Sequence, residues 1–160
     1  MTPLSPKTRQ HIDALFAPAD RAAVERKLLD WREADSERLR FAALRLSHGE
    51  WEALDEAVKL GRTDWRDLLM AADFGDVGAH EAWVPRRFTP EVGETWLAGG
   101  EVEGVRFRRG DLVQRQSSWG LGARGRIKSL VALEPQPTYI VVLETGAEDR
   151  LLQLWLQQAE

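Results

Sequence analysis

Through the first half of the chain apolar residues return every three or four positions, the spacing of an amphipathic helix. Ser5 before Pro6 predicts an N-cap and a first helical position ahead of Ile12, Leu15 and Phe16. Pro18 opens a second segment whose apolar stripe is Val24, Leu28, Leu29 and Trp31. Asp35 or Ser36 caps a third, ERLRFAALRL, in which Leu39, Ala42, Ala43 and Leu46 share a face. Ser47 to Glu50 has the capping-box pattern, and the helix it predicts carries Trp51, Leu54 and Val58. Gly61 suits the C′ position of that helix. Thr63 caps a fifth, DWRDLLMAA, with Trp65, Leu68, Leu69 and Ala72 turned inward, and a short helix around Ala79 to Trp83 comes next. Residues 1–84 therefore read as a small helical bundle.

The pattern then changes. Residues 85–104, with two prolines and several glycines, read as a connecting segment that is partly ordered because Phe88, Val92, Trp96 and Leu97 favour burial. From Val105 the period shortens. DLVQR, RGRIKSLVAL and TYIVVLE are strand-like, EPQP is a loop between the last two, and TGAED closes a hairpin. The final RLLQLWLQQ does not alternate cleanly; after a hairpin signal it reads as a strand ending in a helical turn. Four or five short strands in so short a stretch predict a small SH3-like β-barrel over residues 105–160. The expected fold class is α+β, a helical bundle followed by that barrel.

Composition narrows the function classes. A chain of 160 residues that is 43% hydrophobic can build a real core. Its net charge of −4 argues against wholesale electrostatic binding to nucleic acid, although a local basic patch survives it. No apolar run approaches the length of a membrane span, the first residues lack a signal-peptide segment, and there is no cysteine. The expectation is a cytoplasmic protein that does not engage a membrane.

The stretch SSWGLGARGRIKSL contains a G-x-G-x-x-G at Gly120, Gly122 and Gly125. A dinucleotide fingerprint needs a helix after it, so that the pyrophosphate meets a helix N-terminus. The residues after Gly125 instead include the β-branched Ile127 and soon reach two prolines, and neither the ribose-binding acid nor a Walker lysine is present. The three glycines suit a sharp bend between two strands, with Trp119 covering the open end of the barrel. No cofactor is expected.

The run FRRGDLVQRQSSWGLGARGRIKSL…TYIVVLETG…RLLQLWL resembles the small bacterial Tudor-like or SH3-like barrel. Gly110, Asp111, Val113, Trp119, Gly120, Gly122, Ile127, Val141, Leu143 and Gly146 match its pattern in order, while Leu143 stands where an aromatic residue is frequent. The resemblance implies a barrel that binds RNA polymerase, nucleic acid or other proteins. The run RFAALRLSHGEWEALDEAVKLGRTDWRDLLMAADFG is similar to uncharacterised small bacterial proteins and implies no activity.

Few residues suggest chemistry. Asp76 and His80 have helical i, i+4 metal-ligand spacing, but Gly75 and Gly78 weaken a helix there and a solvated loop is expected. Asp64 and Asp67 flank Trp65 where carboxylates suit a helix dipole. Trp51 and Trp65 lie on apolar helical stripes and are expected in the core; Trp31, Trp83, Trp96, Trp119 and Trp155 sit at segment ends or turns, where contact with a partner competes with burial. Strand parity puts Arg124, Arg126 and Lys128 on one face opposite Ile127, with Arg106, Arg108, Arg109 and Arg115 nearby in sequence. The expected function is a non-enzymatic protein-interaction or adaptor module. Its candidate partner-binding set is Arg106, Arg108, Arg115, Trp119, Arg124, Arg126 and Lys128. The alternative is a nucleic-acid-associated regulator that uses the basic face.

Overall fold

The computed structural model describes residues 3–31, 35–117 and 120–160. They form two compact units that divide between Arg87 and Phe88. The first contains five helices: α1 (Pro6–Leu15), α2 (Arg21–Leu29), α3 (Ser36–Ser47), α4 (Trp51–Thr63) and α5 (Trp65–Ala71). The second opens with α6 (Pro90–Leu97) and continues as β1 (Leu112–Ser117), β2 (Gly120–Ala132), β3 (Thr138–Leu143) and β4 (Glu148–Leu152). A 3-10 turn at Gln153–Trp155 then leads to β5 (Leu156–Gln158). That turn explains why the last segment does not alternate: it interrupts two strands.

In the first unit α3 is the central helix, packed against α1, α4 and α5 and buried on nearly every side. Its arginines are structural. Arg40 donates from Nε to Leu28 O at 3.0 Å and from Nη2 to Trp31 O at 3.1 Å, occupying carbonyls at the end of α2. Arg38 donates to Phe74 O and Gly75 O, and Arg45 to Ala72 O at 3.0 Å. The carbonyls at a helix C-terminus lack intrahelical partners, so buried guanidinium groups satisfy them and complement the negative dipole end.

Several local expectations are met and several are not. Ser5 caps α1 by accepting from Thr8 N at 3.1 Å. The capping box at Ser47–Glu50 does not form. Ser47 is instead the last residue of α3, its Oγ donating to Leu44 O, and α4 begins without a side-chain cap. The cap of α5 is Asp64, accepting from Arg66 N at 2.9 Å, whereas Thr63 Oγ1 donates back to Lys59 O. Gly61 is not a C′ residue, since α4 continues to Thr63. It is buried beneath Trp31, where a Cβ would stand 2.5 Å from Cζ2 of the indole. Ala79 to Trp83 is a series of turns, with Trp83 buried against Phe74 and His11. Trp51 and Trp65 are 40% and 47% exposed rather than core, with Lys27 and Arg66 over their rings. Among the described residues, Trp31, Trp83 and Trp96 are the buried tryptophans.

The barrel expected over residues 105–160, whether SH3-like or Tudor-like, is not what forms. The five strands make an open, weakly curled antiparallel sheet in the order β4-β3-β2-β1-β5, and among the described residues its edge strands β4 and β5 are not paired with each other. The glycines and β-branched runs behind the resemblance specify strands and hairpins. Closure further demands matched tilt and register around the whole circuit, which local pattern does not encode. β5 has only three residues, and β4 opens with Glu148, Asp149 and Arg150, charges that suit an edge. One core joins Trp96 of α6 and Phe107 to Val113, Ile127, Leu130, Tyr139, Val141, Leu151 and Leu156.

Candidate functional site

β2 is the longest strand and the least regular. It pairs with β1 through residues 120–126 and with β3 through 125–132. Its registers shift three times, between Gln114 and Gln116, between Ile127 and Ser129, and between Leu130 and Ala132. Each time the extra residue lies on β2, so each is a bulge that bends this strand and re-aims its side chains. The bulge at Lys128 moves the buried positions from Gly125 and Ile127 to Leu130 and Ala132.

The glycine motif lies inside this strand. Gly120, at φ +112°, opens β2, and the joint to β1 is Ser118 and Trp119, which lie outside the described residues. Gly122 and Gly125 do not form the sharp bend between two strands; both lie within β2, Gly122 in its first bulge, and neither has a positive φ. At Gly125 a Cβ would come within 2.6 Å of Val141 Cγ1 and of Val142 O, so this glycine lets β3 approach. A strand therefore runs where a dinucleotide site needs a helix N-terminus.

Opposite Arg115 of β1, the first bulge places two residues, Gly122 and Ala123. A Cβ on Gly122 would stand 3.3 Å from Arg115 Cβ, so its absence leaves room for the arginine stem. Arg115 is exposed and its guanidinium lies 5.8 Å from the centre of the Trp155 ring, itself 41% exposed. Arg115 also lines a hollow of about 260 Å³, together with Gly122, Ala123, Leu143, Asp149 and Leu151. Among the described residues no hydrogen bond or ion pair engages the Arg115 guanidinium.

The other basic candidates are spread around the sheet and turned to its own structure. Arg106 donates to Leu156 O at 3.1 Å and stacks 4.9 Å from the Phe107 ring; Arg108 donates to Gly99 O. Arg124 donates to Glu160 O at 3.3 Å, Arg126 to Gly110 O at 3.0 Å, and Lys128 pairs with Glu148. Arg124, Arg126 and Lys128 are all exposed, with Gly125 and Ile127 buried between them. Trp155, which flanks Arg115, had only its position at a segment end to mark it. The 3-10 turn that presents it has no distinct sequence signature.

In the first unit the metal-ligand pair does not assemble as a helical i, i+4 site, because residues 76–82 are turns. His80 packs on Phe41 and Phe74, with ring centroids at 5.6 and 6.4 Å. His11 is buried between Phe41 and Trp83, at 4.6 and 4.8 Å. His11 Nε2 and His80 Nδ1 are buried with no hydrogen-bond partner. Burial, reinforced by Lys7 and opposed by Glu37, draws the His11 pKa below its ordinary value. No helix among the described residues is long and apolar enough to cross a membrane.

No family model, no curated protein and no solved structure matches the chain.

Proposed function

We propose that this chain is a non-enzymatic protein-interaction module whose binding end is the β1–β2 end of the second unit's sheet. The observation that carries this reading is the Arg115 guanidinium, unengaged among the described residues, lying over the half-exposed Trp155 ring while Arg115 also lines a hollow with Leu143 and Leu151. Tryptophan and arginine are the residues most enriched at the energetic centres of protein interfaces. The nucleic-acid alternative draws less support, because Arg106, Arg108, Arg124, Arg126 and Lys128 spend donors on the protein's own oxygens.

The test is capture of partners from native lysate by the full chain and by its Trp155→Ala variant, each with and without nuclease and over a salt series. The reading expects a protein retained after nuclease, weakly dependent on salt and lost with Trp155→Ala. Loss on nuclease treatment with a steep salt dependence would instead mean that phosphates are being bound.

A further inference from the structure

Resting on that reading, we infer that the hollow at the first bulge takes an acidic–aliphatic peptide segment, a carboxylate on Arg115 with a neighbouring aliphatic side chain over Leu143 and Leu151. Three features of the site select this occupant. Arginine is charged at every physiological pH and presents a planar fork of N–H donors that matches a carboxylate in two parallel hydrogen bonds. At Arg115 that fork has no acceptor among the described residues, whereas the guanidinium groups of Arg106, Arg124 and Arg126 each reach an oxygen of the chain. The unmatched charge calls for an anion.

The hollow calls for something apolar and small. Leu143 and Leu151 supply aliphatic surface, and Gly122 and Ala123 leave the bulge side without bulk. A volume of about 260 Å³ suits one aliphatic side chain rather than an extended apolar segment. Asp149 also lines the hollow. One of its oxygens accepts from Arg150 N at 2.9 Å, and the carboxylate keeps lone pairs for a main-chain N–H of the peptide. A peptide carries a carboxylate on one side chain and an aliphatic group on the next, the two chemistries that Arg115 and the leucines of the hollow would receive.

The experiment is panning of a phage library of random linear hexapeptides on the full chain, on Arg115→Glu, on Arg115→Lys and on Trp155→Ala, with circular-dichroism melts to verify folding. The expected result on the native chain is enrichment, at least tenfold over the unselected library, of Asp or Glu adjacent to Leu, Ile, Val or Met. Arg115→Glu should lose the acidic preference, and Arg115→Lys should keep a weaker one because it retains charge without the fork. Selection that ignores acidic residues yet still requires Trp155 would overturn this inference and leave the interaction module standing. Identical selection on all four proteins would overturn both.

Discussion

The indole of Trp31 rests on the α-carbon of Gly61, so that a single added methyl at position 61 would stand 2.5 Å from Cζ2 and 2.7 Å from Leu68 Cδ2. Two effects of opposite sign compete in Gly61→Ala. Alanine is the better helix former by about 1 kcal/mol. Overpacking a filled core costs about 1–3 kcal/mol, and the ring that must move is rigid and 4% exposed. The clash is expected to win, lowering the urea midpoint without changing the slope of the transition. A rise in the midpoint would mean that Trp31 is free to tilt away.

Tryptophans in the first unit should differ sharply in their contribution to stability. Trp83 packs on His11, Phe41 and Phe74, and its replacement by alanine is expected to cost about 3–5 kcal/mol. Trp51→Ala and Trp65→Ala, at rings 40% and 47% exposed, should each cost less than about 1 kcal/mol. Denaturant melts of the three variants decide this, and equal losses would put the exposed rings in the core after all.

Gly125 should tolerate less than Gly122, although both lie in one strand and one motif. A Cβ at 125 meets Val141 Cγ1 and the Val142 carbonyl at 2.6 Å, and backbone cannot step aside. At 122 the nearest atom is Arg115 Cβ at 3.3 Å. Gly125→Ala is therefore expected to destabilise the second unit by about 1–3 kcal/mol, and Gly122→Ala by clearly less. Thermal melts of both variants test the order.

Acid should weaken the first unit in two stages. Above 6.5, the ordinary histidine value, His11 is neutral in both the folded and the unfolded chain. As pH falls below it the unfolded chain takes up a proton that the folded chain resists, so stability declines until the depressed native pKa is passed. Further down, Asp55, hydrogen-bonded to Lys27 and Lys59, titrates at about 2 instead of 3.8, and the stability it adds is lost between those values. Urea midpoints measured from pH 7.5 down to pH 2 should show both declines. His11→Gln should flatten the upper one alone. An upper decline that persists in that variant would assign it to another group.

Sequence pattern was informative wherever the physics is local. The Ser5–Pro6 cap, the inward stripe Val24, Leu28 and Trp31, and the opposed faces of Arg126 and Ile127 arise from residues within a turn or two of each other. It failed wherever the partner is distant in sequence. Gly61 reads as a helix stop because nothing nearby announces Trp31 above it. Nothing in the sequence marks Arg38 and Arg40 as buried, because the carbonyls they satisfy belong to other segments. The closed barrel failed for the same reason, since whether β4 meets β5 is a property of the whole sheet. Of the candidate site, the arginines were visible in the sequence. The bulge that seats Arg115 beside Trp155 depends on a register that only pairing reveals.

The guanidinium groups of α3 have a consequence for motion. Because Arg40 holds the end of α2 while Arg38 and Arg45 hold the stretch after α5, neither end can fray without breaking bonds anchored in the most deeply buried helix. Peptide N–H groups near both ends should then exchange with heavy water at nearly the pace of those in α3, and only when the whole unit opens. Three arginines thereby tie α2, α3 and the stretch after α5, elements too brief to persist alone in water, into one cooperative body.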